Sequence, residues 1–146
     1  MKTSLLFCFL IHYCFSSMNA QTSIDDEGNR VTPDVMVVYP KCKGDNMQLL
    51  KCFNKKLQMH MVRNMRLKQS RKSKITDSTT KKMFLVFGVD KKGNIVNLKV
   101  KAPSVRLEKE GLRVLKLLPI MKPAIYKDDP VHTKFVMPFS LGINIK

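Results

Sequence analysis

The sequence predicts an α+β domain, on three observations. Met83 to Ala102 reads as two strands joined by a tight turn, and Val131 to Ile145 is a second long β-type run. Before the first of these lies a stripe of apolar residues at helical spacing, and between the two lie a short helical pattern and a proline-marked corner.

Met83-Phe84-Leu85-Val86-Phe87-Gly88-Val89 is apolar on both faces, which predicts a central strand covered on each side. Asp90-Lys91-Lys92-Gly93-Asn94 supplies the hairpin turn, with Gly93 free to take positive φ. From Ile95 the pattern alternates, with Val96, Leu98, Val100 and Ala102 on one face and Asn97, Lys99 and Lys101 on the other. Pro103 ends that strand. Leu107, Gly111, Leu112, Val114, Leu115 and Leu118 then outline a short helix stopped by Pro119. Gly111 costs up to about 1 kcal/mol inside a helix, which suggests close packing against the sheet. In the final run Phe135, Met137, Phe139, Leu141 and Ile143 share a face, and Pro138 has no amide to give a ladder. Proline is tolerated mainly at an edge, so this last run is expected to be an edge strand, at least beyond Met137.

Upstream, Val35 to Tyr39 ends at Pro40 and suggests a brief edge strand. Asp45 or Asn46 is a suitable N-cap. Met47, Leu49, Leu50, Phe53, Leu57 and Met61 follow as one face of a helix reaching about Met65, its methionines read as core filler. Residues 35–65 thus form a short strand plus helix. Residues 66–82 read as a polar basic loop. The cations Arg63, Arg66, Lys68, Arg71, Lys72 and Lys74 define a basic surface, either simply solvated or able to meet an anionic membrane. It holds no aromatic residue on which a base could stack.

Residues 1–20 have the layout of a secretory signal peptide. Lys2 precedes an apolar stretch from Leu5 to Phe15, and Ala20 offers a cleavage point. The alternative is an uncleaved segment anchored in the inner membrane. Residues 21–34 are polar and read as a flexible leader. The whole chain carries a net charge of +16, of which the leader peptide removes only Lys2. So basic a protein attracts polyanions of every kind, and export makes nucleic acid the least favoured. Cys8 and Cys14 leave with the leader. Cys42 and Cys52 remain, and in an exported chain two thiols form one disulfide, here closing about ten residues for about 2–3 kcal/mol. The alternative, a metal site, lacks further ligands at suitable spacing.

No catalytic constellation emerges. His60 and His132 stand apart, no serine sits in a nucleophile elbow, and Glu108, Glu110, Asp128 and Asp129 look solvated. The expectation is therefore a protein that is not an enzyme and needs no cofactor.

The order of pieces resembles the C-terminal domain of TonB. Those pieces are Phe84 to Asp90, Lys92 to Val96, Ala102-Pro103, Leu107 to Val114, Leu117 to Ala124, Pro130-Val131 and Met137-Pro138-Phe139. Val38-Tyr39-Pro40-Lys41-Cys42 and Cys52-Phe53 look like the cysteine-containing version found in Bacteroidota. Residues 83–146 then correspond to the domain core. Gly111 departs from the family, which usually has alanine there. The resemblance implies a two-layer fold, with a three-stranded antiparallel sheet packed against helices, in the periplasm. It also implies a partner, a TonB-dependent outer-membrane receptor or another envelope protein, bound as an extended peptide at the last strand. Val131, Thr133, Phe135, Val136, Met137, Pro138 and Phe139 would form that edge. The family's transducers also carry a membrane anchor and a long proline-rich spacer. Residues 21–34, with Pro33 alone, are too short to span a periplasm at about 3.5 Å per residue. A structural role is the alternative, in which the edge makes a homodimer or the basic loop docks on anionic surfaces.

Overall fold

A computed structural model describes residues 20–66 and 81–141. The leader peptide up to Asn19 lies outside them, as do most of the basic loop and the last five residues. The chain folds as an α+β structure with an antiparallel sheet and two helices. In order these are β1 (Ala20–Ile24), β2 (Arg30–Val31), α1 (Asn46–Asn64), β3 (Lys81–Val89), β4 (Ile95–Lys101), α2 (Val105–Leu115), β5 (Ala124–Tyr126) and β6 (Asp129–Leu141). The strand order is β2-β1-β6-β3-β4, with β5 also pairing with β6.

α1 begins at a capping box: the Asp45 carboxylate accepts from the Gln48 amide at 2.8 Å, while the Gln48 side chain accepts from the Asp45 amide. Its buried face is Leu49, Phe53, Leu57 and Met61, a strict four-residue step, whereas Met47 is 62% exposed and does not share it. Phe53 stacks on Phe135 of β6 at 4.7 Å between ring centroids, and Phe135 stacks in turn on Phe87 of β3 at 5.1 Å. This three-ring column joins the helix layer to the two long strands.

α2 starts at Ser104, whose hydroxyl accepts from the Leu107 amide. A Cβ on Gly111 would lie 3.0 Å from Val100 Cγ1, so the expected close packing is present and the glycine lets α2 settle onto β4. The two helices are tied where they meet. Arg113 donates to Glu110 and to the Asn64 carbonyl, Glu110 accepts from the Arg66 amide, and His60 Nε2 donates to the Val114 carbonyl at 3.0 Å. After α2, the proline corner is pinned to the β3–β4 turn by the Met121 amide donating to the Gly93 carbonyl at 3.0 Å. The Val35–Tyr39 run makes isolated bridges, Val35 to Ile125 and Val38 to Lys122, rather than a full strand; it buries Val37 and Tyr39.

Three sheet expectations change. Among the described residues the sheet has six strands rather than the three that the resemblance implied. β3 is central in the strand order, yet only its Met83, Leu85, Phe87, Val89 face is covered by helices; Phe84, on the other face, is 48% exposed. Its apolar outer face meets neighbours within the sheet instead, Phe84 lying opposite Pro138 and Val86 opposite Val136. The β4 alternation also changes phase. Asn97 has φ +54 at a bulge between the Val86 and Gly88 pairings, so Ile95 packs on the core while Val96 turns outward beside Gly88.

Candidate functional site

β6 is the strand that carries the seven residues of the expected peptide-binding edge. Along it Val131, Thr133, Phe135, Met137 and Phe139 point into the core and are buried, while His132, Lys134, Val136 and Pro138 face outward. Period-two alternation accounts for this split: inward residues from Thr133 to Phe139 lie opposite inward residues of β3, such as Phe135 opposite Phe87 and Met137 opposite Leu85, and Val131 lies opposite the buried Ala124 of β5. The seven predicted residues therefore lie on one strand, but Val131, Phe135, Met137 and Phe139 are core residues whose side chains a docking partner does not reach, and Thr133 is buried against Ser23 of β1.

The expected open edge is only partly open. β3 pairs with β6 from Thr133 to Leu141, and on β6 a second strand, β1, pairs antiparallel from Ala20 opposite Val136 to Ile24 opposite His132. Thr133, Phe135 and Val136 are thus interior to the sheet rather than at its edge, and Val131 pairs with Ala124 of β5. Among the described residues, Met137 to Leu141 pair with β3 alone. Pro138 falls within this half-paired stretch, which agrees with its missing donor.

The segment expected to be a flexible leader supplies the covering strand. It buries little apolar surface, and its order comes from backbone pairing and side-chain hydrogen bonds instead. Ser23 and Thr133, both nearly inaccessible, share a hydroxyl–hydroxyl bond of 3.1 Å. The β1–β2 turn is held by the Asp25 carboxylate, which accepts from the Glu27 and Asn29 amides at 3.1 and 2.8 Å. In the β3–β4 turn, the Asp90 carboxylate accepts from the Lys92 and Asn94 amides at 2.9 and 2.8 Å. The Asn94 side chain holds the Asp90 carboxyl below its usual range. Both turns share the pattern Asp-x-x-Gly-Asn, with the glycine at positive φ. One tip is acidic and the other basic, and Asp26 pairs with Lys91 between them.

The chain matches no family model, no curated protein and no solved structure.

The other predicted features are placed as follows. Cys42 and Cys52 form a disulfide, with Cα atoms 5.9 Å apart, joining the loop before α1 to its second turn. Arg63 and Arg66 are exposed at the end of α1; Lys68, Arg71, Lys72 and Lys74 lie outside the described residues. Further cations border the exposed sheet face, where Lys99 and Lys101 of β4 and Lys134 of β6 surround Phe84, Val86 and Val136. No described helix is long and apolar enough to cross a membrane. Sequence reasoning missed Gln21, Thr22 and Ser23 as part of the site. The repeated turn pattern, 65 positions apart, was the signal that could have found them.

Proposed function

We propose that this chain is a periplasmic TonB-like binding module. It would engage an extended segment of an envelope protein, a TonB-dependent outer-membrane receptor in the leading case, by adding that segment as a strand to β6. One observation carries the reading: the β6 edge already accepts an antiparallel strand from a distant part of the chain, and the half-paired stretch Met137–Leu141 continues directly from it. Amides and carbonyls there that no described residue outside β3 pairs give affinity to any extended peptide, and flanking side chains provide selection. The placement of α2 between the β3–β4 hairpin and β6 agrees with the domain that the sequence resembles. The surplus of cations would speed encounter with an acidic partner.

The test is a titration of isotope-labelled protein with receptor-derived extended peptides, followed by NMR. Shifts concentrated at Met137 to Leu141 are expected. If no peptide moves those resonances at millimolar concentration, the reading fails.

The exposed sheet face favours a second reading, a scaffold that docks on anionic surfaces. Phe84 stands there among Lys99, Lys101 and Lys134. Self-association through β4, which pairs with β3 alone among the described strands, is opposed by its lysines, since a charged edge discourages pairing. Salt-dependent co-sedimentation with anionic vesicles, in the absence of peptide binding, would favour this scaffold role.

A further inference from the structure

We propose that β1 is a displaceable occupant of β6, and that the site it fills takes an extended segment of another polypeptide presenting serine or threonine opposite Thr133. This rests on the strand-addition reading above, and adds what the site selects and what keeps it closed.

Selection follows from burial. Ser23 and Thr133 are the buried polar side chains of the described residues, at 4% and 2% exposure, and each hydroxyl satisfies the other at 3.1 Å. A strand with an aliphatic residue at that place leaves the Thr133 hydroxyl buried and unpaired, which penalises binding. A long side chain does not fit so enclosed a position. Flanking positions are tolerant: Thr22 and Ile24 lie opposite Lys134 and His132 on the exposed face, so polar or acidic residues are accepted there.

Displaceability follows from what β1 lacks. Among the described side chains the hydrophobic core begins at Val37, and none of those on β1 or β2 belongs to it. β1 is held by its five-residue ladder, one hydroxyl pair and the exposed Asp26–Lys91 pair, whereas β3 and β6 share the aromatic column. Elements with few buried apolar contacts open at the lowest cost. The tether supplies β1 at a high effective concentration, so the site excludes weak ligands and yields to a better-matched strand. The sequence of β1 itself, with Ser23 inward between Thr22 and Ile24, shows the kind of strand accepted.

The deciding experiment uses the full chain and a fluorescent synthetic peptide spanning residues 20–31. Ser23→Glu places a carboxylate in the buried position and should expel β1 while the core remains. This variant is expected to bind the peptide at least about tenfold more tightly than the unmodified chain, because its own strand no longer competes. The same peptide carrying Ser23→Ala should bind about tenfold more weakly, with NMR shifts at His132 to Val136 locating the site. Asp26→Lys in the chain, which touches only the surface pair and leaves the peptide's own Asp26 free to meet Lys91, should move uptake in the same direction by a few-fold, and Lys91→Glu added to it should reverse the effect. That pair of variants decides the matter if Ser23→Glu does not fold. Equal uptake by variant and unmodified chains overturns the proposal, as does a concentration-dependent dimer of Ser23→Glu, which would make a second copy the occupant. If β1 proves fixed while receptor peptides still shift Met137 to Leu141, the strand-addition reading survives alone. If no peptide shifts any β6 resonance, both fall.

Discussion

Glu110 shows how one side chain sets a local condition for folding. Its carboxylate accepts two hydrogen bonds from Arg113 and one from the Arg66 amide, and so joins α2 to the end of α1. The Arg113 hydrogen bond is the main reason its pKa falls from 4.5 to about 2, against the opposing effect of burial. A depressed carboxylate pKa means that the unfolded chain binds the proton more readily. The stabilisation is therefore complete above about pH 4.5 and is lost as pH falls toward 2. Glu110→Gln should lower stability at pH 7 by about 1 kcal/mol, a modest figure because Arg113 remains partly solvated. It should also flatten the acid limb between those two pH values. Urea unfolding across that range checks both, and an acid limb unchanged from the unmodified chain would contradict the assignment.

Among the elements, the two Asp-x-x-Gly-Asn turns carry most of the architecture around the site. Gly93 has φ +85, and a Cβ there would collide with the Met121 carbonyl oxygen of the proline corner. Gly93→Ala should therefore destabilise the protein by roughly 1–3 kcal/mol, through backbone strain and loss of the Met121–Gly93 contact. Gly28 has a similar φ but open space around it, so Gly28→Ala should cost less. Chemical denaturation of the two variants tests the ranking, and equal losses would show that the corner is not pinned by its turn. The comparison also separates the β3–β4 hairpin, which is built into the core, from the β1–β2 hairpin, which is laid against an edge.

For the whole molecule, stability depends on a core that, among the described residues, is covered on one sheet face only. The Phe53, Phe135 and Phe87 column spans the two layers, and Tyr39 meets Phe53 edge-on at 6.2 Å. The Cys42–Cys52 disulfide secures the segment that brings Tyr39 there. Replacing both cysteines by serine should cost about 2–3 kcal/mol and lower the thermal midpoint by roughly ten degrees or more. Calorimetry of the double variant tests this, and an unchanged midpoint would show that aromatic packing alone holds the loop. The exposed face with Phe84 and its lysines contributes little to this core, and is left available for contacts outside the domain.

Much of the fold was legible in the residues. The capped α1, the β3–β4 hairpin, the helix that Gly111 lets approach the sheet, the disulfide and the final strand all follow from local pattern, because each depends on near neighbours, on period or on cysteine context. Legibility failed where the outcome depended on distant partners. Residues 20–24, apolar only at Ala20 and Ile24, carry no apolar alternation, and their place was decided by the free edge of a strand more than a hundred positions away, through main-chain pairing and one buried hydroxyl bond. The covered side of β3 was likewise decided by where the helices settled, since an apolar strand does not say which face will be roofed. The sequence by itself determined the α+β elements and a last strand with a proline-marked stretch. Only the tertiary structure decided that this strand lies inside the sheet over His132–Val136 and, among the described residues, is half-paired beyond it, because edge and interior are relations between strands and not properties of one.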